Sequence, residues 1–170
     1  PKEFNKNVTY APSEDPIEAM FFISAAVATD SKITIKRVPI EFISLEILKL
    51  KKMGLKVDSS DSYLAHNGFT KLVDLTIHKH GGKLKALQES IHANVYPMGI
   101  NQDNLPYFVP IVAVAKGKTL IHDWAYENRA IYYTELTRLG ANVELLDPHR
   151  INVTGPTTFS SADLVCPPAL

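Results

Sequence analysis

Cysteine is nearly missing from these 170 residues, with Cys166 as the one thiol. That excludes an internal disulfide framework and suits a reducing compartment, so the expected location is cytoplasmic. Long apolar runs are missing as well. No stretch of about eighteen such residues occurs, and no helix is expected to cross a membrane. Charge of one sign is not in excess: 18 Lys and Arg meet 18 Asp and Glu, with a pI near 7.5. Binders of nucleic acid or anionic membrane ordinarily carry a basic surplus, so neither partner is expected and an RNA-binding βα module is disfavoured. Gly-x-x-x-x-Gly-Lys, Gly-x-Gly-x-x-Gly and Gly-x-Ser-x-Gly are all lacking. Their absence argues against a P-loop phosphate cradle and a hydrolase nucleophile elbow. Pro1-Lys2-Glu3-Phe4-Asn5 offers no initiator Met and no signal-peptide core. With the ending at Cys166-Pro167-Pro168-Ala169-Leu170, just after what reads as a strand, this leads us to expect a piece of a longer chain.

What is present is enough apolar material for a core, 45% against 21% charged. There is also an internal repeat. Leu50-Lys51-Lys52-Met53-Gly54-Leu55-Lys56-Val57 returns as Leu136-Thr137-Arg138-Leu139-Gly140-Ala141-Asn142-Val143. Each copy reads as the end of a helix, a glycine suited to positive φ, and an extended segment. The copies, about 12–88 and 100–170 of a single domain, share one predicted order. In the first, helix 16–28 is followed by strand 32–38, helix 42–53, and strands 55–58, 63–67 and 72–80. In the second, helix 104–116 is followed by strand 119–124, helix 129–139, and strands 142–146 and 150–154. That order predicts α/β with mixed sheets.

The first helix of each copy is apolar nearly all round: Ile17 to Val27 in one, Leu105 to Val114 in the other. Such helices belong inside. The second helix of copy one carries Glu46, Lys49, Lys51 and Lys52 and is expected nearer the surface. Helices within and sheets without reverse the doubly wound arrangement.

Few residues suggest chemistry. His78 and His80 would share the solvated face of a strand with Asp74 and Thr76, and with no third ligand evident no metal is expected. Cys166 has no neighbouring cation to activate it and reads as a plain apolar position. Asp103 reads two ways. As the N-cap of an apolar helix it contributes about 1 kcal/mol. As a general base at a cleft edge it would supply about 10²–10⁴ in rate. Glu127-Asn128-Arg129 stands at a strand-to-helix junction where copy one has Pro39-Ile40-Glu41-Phe42. An Arg at a helix start opposes the dipole, and its planar fork suits a carboxylate or phosphate.

These residues resemble the enolpyruvyl transferase family. Glu127-Asn128-Arg129, Glu135-Leu136 and Arg138-Leu139-Gly140-Ala141 look like its Glu-Asn-Arg…Glu-Leu-x-Arg-Met-Gly-Ala segment. Asp103 falls at the Asp of its Pro-Thr-Asp-Met-Gln motif. Asp15-x-Ile17-Glu18-Ala19 resembles its Asp-Arg-Ile-Glu-Ala segment, and Asp163-Leu164 the Asp-Leu of Thr-Asp-Leu-Arg. The resemblance implies an inside-out α/β barrel of repeated βαβαββ units, with buried helices and outer mixed sheets. It implies transfer of the enolpyruvyl group of phosphoenolpyruvate to the 3-hydroxyl of UDP-N-acetylglucosamine in peptidoglycan precursor synthesis, without metal or cofactor. It assigns Asp103 as base and Arg129 as holder of the phosphoenolpyruvate carboxylate, with Ala125, Tyr126 and Asp163 binding substrate. The family's Cys acid, N-terminal Lys and phosphate-binding Arg would lie in a missing companion domain, leaving the isolated chain with little activity.

Tyr126-Glu127-Asn128-Arg129 stands where the 3-phosphoshikimate branch usually has Lys-Glu-Ser/Thr-Asp-Arg, which favours the UDP-sugar branch. Departures from the pattern are Asn101, Gln102, Ala130, Tyr132 and Val165, the last replacing an Arg. They motivate two alternatives, a non-catalytic UDP-sugar-binding homologue and a 3-phosphoshikimate 1-carboxyvinyltransferase-like enzyme.

Overall fold

Asp15 starts the first helix, α1 (Pro16–Ala28), as its sequence predicts: extended backbone at Asp15, a carboxylate accepting from the Ile17 amide at 2.8 Å, and Pro at the first helical position. These and all later features come from a computed structural model that describes residues 7, 9–94 and 99–165. Strand β1 (Ile33–Val38) follows, then a 3-10 turn at Ile40–Phe42 and α2 (Ser44–Lys52). Three strands complete the first half: β2 (Val57–Ser59), β3 (Tyr63–Leu64) and β4 (Lys71–Ile77). Strand β4 is central, pairing antiparallel with β1 on one side and with β2 and β3 in turn on the other.

The second half begins with β5 (Ile91–His92) and α3 (Leu105–Ala113). Strand β6 (Gly117–His122), α4 (Arg129–Tyr132), a 3-10 segment at Tyr133–Leu139, β7 (Asn142–Asp147) and β8 (Arg150–Gly155) complete it. The sheet order is β5-β6-β8-β7, parallel only at β5–β6. The two halves end their second helices alike. Gly54 (φ 100°) and Gly140 (φ 89°) let Leu55 and Ala141 donate back to Leu50 and Leu136.

Helix α1 packs on β1 and β4, α3 packs on β6 and β8, and α1 packs on α3. The two apolar helices therefore meet between the two sheets, with Met20, Ile23, Phe108 and Val112 buried at the centre. The Ser24 hydroxyl donates to the Tyr107 carbonyl at 2.8 Å and ties the helices together. The described residues form an α/β arrangement without a closed barrel.

Several expectations change. Helix α1, expected to be buried on most sides, keeps one side open at Phe21 and Phe22, 50% and 45% exposed. The expected helix 42–53 is a 3-10 turn and a shorter α-helix, and the expected helix 129–139 keeps only one α turn before tightening to 3-10. Strand β4 stops at Ile77, so His78 and His80 lie beyond it. No strand occupies 156–165. Glu46, expected with the surface charges of α2, is buried at 2% exposure, while Lys51 and Lys52 are exposed.

Gly155 shows how closely a sheet and a helix approach. A Cβ there would stand 2.3 Å from the Ala115 carbonyl oxygen and 2.5 Å from that of Ala113. Both obstacles are backbone, so α3 and β8 would have to separate. Gly155→Ala is expected to destabilise by about 1–3 kcal/mol, read as a lowered urea midpoint at unchanged slope.

Candidate functional site

Asp103 lies in the turn 101–104 that leads into α3. Its backbone amide donates to Asn101 Oδ1 at 2.9 Å. The capping position belongs to Asn104, which is itself helical in backbone and makes no side-chain cap. The Asp103 carboxylate is therefore not spent on the helix, and of the two readings of this residue the cap is excluded. Its side chain is 43% exposed, with the Tyr126 hydroxyl at 3.4 Å and Arg129 Nη1 at 3.9 Å from Oδ1.

Arg129 reaches this turn from the other side. Asn128 adopts φ 63°, a left-handed conformation that Asn tolerates better than most residues, and the chain reverses into α4 there. The Arg129 side chain is 6% exposed. Nε and Nη2 donate to the two oxygens of Asp123 at 2.5 and 2.8 Å, a two-pronged pairing. Nη2 also donates to the Gln102 carbonyl at 2.7 Å, and the Tyr126 ring lies 4.3 Å from the guanidinium carbon. Nη1 is left facing Asp103. Burial alone would lower the affinity of this guanidinium for its proton. The Asp123 carboxylate outweighs it and raises the pKa further.

Asp123 holds the group together and was not anticipated. It is fully buried and also accepts from the Tyr133 hydroxyl. Burial and then that bond push the Tyr133 phenol well above its ordinary range, so Tyr133 stays a donor. A signal for Asp123 existed. Thr119, Ile121 and Asp123 alternate along the inward face of β6 and just past it, and all three are buried. A carboxylate at such a position requires a buried cation, and Arg129 is six residues on.

Ala125 and Tyr126 are half-buried and belong to this cluster through Tyr126. Beside it, Pro16, Phe42, Gln102 and Trp124 border a recess of about 430 Å3. The Trp124 indole is fixed there by donating to the Ala93 carbonyl at 2.7 Å. On the other side of Arg129 an apolar cavity of about 510 Å3 is lined by Val109, Tyr132, Leu136, Leu164 and Val165. Asp163 is not among the cluster residues. Its side chain is exposed, and its carbonyl accepts from Arg138 at 3.4 Å.

The remaining candidates have separate partners. His78 pairs with Asp58 at 2.6 Å. His80 donates from Nε2 to the Val27 carbonyl at 2.9 Å and accepts the Gly82 amide on Nδ1, which closes the end of α1. Among the described residues no three His, Cys, Asp or Glu side chains gather, and no helix is long and apolar enough to cross a membrane. Cys166 lies outside the described residues.

Comparison with known proteins places the chain in a family. The family described as EPSP synthase (3-phosphoshikimate 1-carboxyvinyltransferase) matches residues 1–166. A UDP-N-acetylglucosamine 1-carboxyvinyltransferase of Hyphomonas neptunium is 30% identical over 138 residues, covering 81% of this chain and 30% of that protein. Its counterpart from Ruthia magnifica is 30% identical over 158 residues, covering 93% and 34%. The chain thus spans about a third of the length of the curated relatives it matches. The enolpyruvyl transferase NikO of Streptomyces tendae superposes with a TM-score of 0.62 at 25% identity, over 85% of this chain and 31% of that one. EPSP synthase from Acinetobacter baumannii, 21% identical, shares the fold with a TM-score of 0.66 over 89% and 35%. By a family match that runs through both halves and includes the Asp103 turn and Arg129, the chain belongs to the EPSP synthase family of enolpyruvyl transferases.

Proposed function

We propose that the whole protein transfers the enolpyruvyl group of phosphoenolpyruvate to the 3-hydroxyl of UDP-N-acetylglucosamine, and that this chain forms one wall of its active site. The observation that carries the reading is the Asp103 carboxylate, half exposed, not used as a cap, and beside Arg129 Nη1. Asp103 takes the hydroxyl proton as that oxygen bonds to C2 of phosphoenolpyruvate. C3 is protonated by an acid outside this chain. In the second half C3 gives up a proton and the C2–O bond to phosphate breaks, releasing phosphate.

Three N–H groups of Arg129 are committed to Asp123 and Gln102, which aims the two on Nη1 at the substrate carboxylate. Rigid, charged donors are what a transient anionic intermediate requires. The backbone at Ala125 and Tyr126 contacts the sugar. Asp163 contributes through the segment whose Leu164 and Val165 line the cavity beside Arg129.

In this reading residues 12–88 and 100–170 are two βαβαββ units of an inside-out barrel. A further unit covers Phe21 and Phe22, and a companion domain brings the acid and the phosphate contacts. The setting is cytoplasmic peptidoglycan precursor synthesis, and the isolated chain turns over little. The names of the curated relatives support the acceptor. The family description favours a second reading, with 3-phosphoshikimate as acceptor, and Val165 with the altered flank of Asp103 motivates a third, a non-catalytic homologue.

Phosphate release by the full-length protein separates them. We expect release from phosphoenolpyruvate with UDP-N-acetylglucosamine and none with 3-phosphoshikimate. The reverse pattern would establish the second reading. Release with neither, but retained UDP-sugar binding, would mark a non-catalytic homologue.

A further inference from the structure

The Asp103 turn is supported from below by a residue the proposed chemistry does not use. Glu46 of α2 lies 2% exposed among Ile43, Ile47 and Leu50, on the apolar stripe of its helix. One of its oxygens, Oε1, accepts the Asn101 backbone amide at 3.1 Å and the Asn104 side-chain amide at 2.9 Å. Asn101 and Asn104 bracket Asp103. A single buried oxygen from the first half thus holds both sides of the turn that opens α3 in the second.

The arrangement costs stability elsewhere. Asn at a helix start usually accepts from the first turn and contributes about 1 kcal/mol. Asn104, already helical in backbone, makes no such bond; its amide turns toward Glu46 and its own Oδ1 is buried without a partner. Burying a carboxylate against two neutral donors is likewise unfavourable relative to an apolar side chain. A leucine at 46 would complete the stripe without burying a polar group. The cost makes sense when the position of the turn matters more than the stability of the helix. Asn101 passes the constraint on, because its Oδ1 accepts the Asp103 amide, while Arg129 holds the next carbonyl at Gln102.

We infer that Glu46 is a positioning residue, fixing the Asp103 carboxylate at the distance from the acceptor hydroxyl that proton transfer requires. The inference rests on the reading of Asp103 as the base. A shift of about 1 Å in such a group costs on the order of 10²-fold in rate.

The test uses the full-length protein with Glu46→Ala and Glu46→Gln, read by steady-state phosphate release and by amide hydrogen exchange. Glu46→Ala is expected to lower kcat by about 10- to 100-fold with KM for phosphoenolpyruvate within about threefold. It should also speed exchange at residues 101–104 at least about tenfold, with α1 and β4 unchanged. Glu46→Gln keeps an acceptor oxygen and is expected to retain both wild-type exchange and most of kcat. Unchanged exchange at 101–104 in Glu46→Ala overturns the proposal, as does an unchanged kcat. Equal kcat losses in both variants also overturn it, since charge rather than the two bonds would then be responsible. If Glu46→Ala does not fold, Asn104→Ala removes one of the two bonds and gives the same readouts. A wild-type protein with no transferase activity refutes the reading of Asp103, and the exchange data then decide the role of Glu46 by themselves.

Discussion

Asp103→Ala in the full-length protein is expected to lower kcat by about 10²–10⁴ and leave the fold intact, the range a positioned general base supplies. The structural half of that expectation follows from what Asp103 does not do. Its carboxylate caps no helix, and the turn is fixed by its backbone amide on Asn101 and by Glu46 beneath, neither of which needs the side chain. Arg129 keeps Asp123 as counter-charge, so no buried cation is stranded. The change in stability should stay within about 0.5 kcal/mol, as for a surface position. Asp103→Asn keeps the size and loses the basicity, and should be nearly as slow. A thermal melt alongside phosphate release makes the comparison. Rates within twofold of wild type in either variant would remove Asp103 from the chemistry.

The parts of the fold legible in the sequence were those set by local rules. Helix α1 begins and ends where Asp15, Pro16 and the apolar run predict, and the Gly54 and Gly140 turns carry the conformation their surroundings demand. The second helices differ from expectation at one end each: α2 starts at Ser44 because Phe42 closes the 3-10 turn before it, and the run expected as helix to Leu139 tightens to 3-10 from Tyr133. Phe21 and Phe22 were expected inside because an apolar helix must be covered. Within the described residues α3 covers only one side of α1.

At the site, Asp103, Tyr126 and Arg129 come together, whereas Asp163 stays apart. Asp123 and Glu46 were missed for a common reason. Each is an acidic residue at a periodic apolar position, Asp123 in line with Thr119 and Ile121, Glu46 between Ile43 and Leu50. The charges of α2 led Glu46 to be expected at the surface, and Asp123 was not singled out at all. The better inference is that a carboxylate in an apolar register is buried with partners that must be sought elsewhere in the chain.

Asp123→Ala should be the most destabilising single change at the site, by about 3–5 kcal/mol, because it removes one member of a buried ion pair and keeps the other. Arg129 is 6% exposed and, among the described residues, has no second carboxylate in direct contact; Asp103 is 3.9 Å away and half in water. The loss also strands the Tyr133 hydroxyl, whose partner in this structure is Asp123. Tyr133→Phe isolates that share and should cost only about 0.5–1.5 kcal/mol. Removing both charges is a different matter. In Asp123→Leu with Arg129→Met the desolvation of two ions disappears and similar volume fills the space, so much of the stability should return. Urea unfolding of the full-length variants gives the comparison. If the double variant is as unstable as Asp123→Ala, packing rather than the stranded cation sets the loss. A stable double variant that is also inactive would separate the two roles of this pair. The fold could then do without it, and its retention would follow from the need for a fixed positive charge beside Asp103.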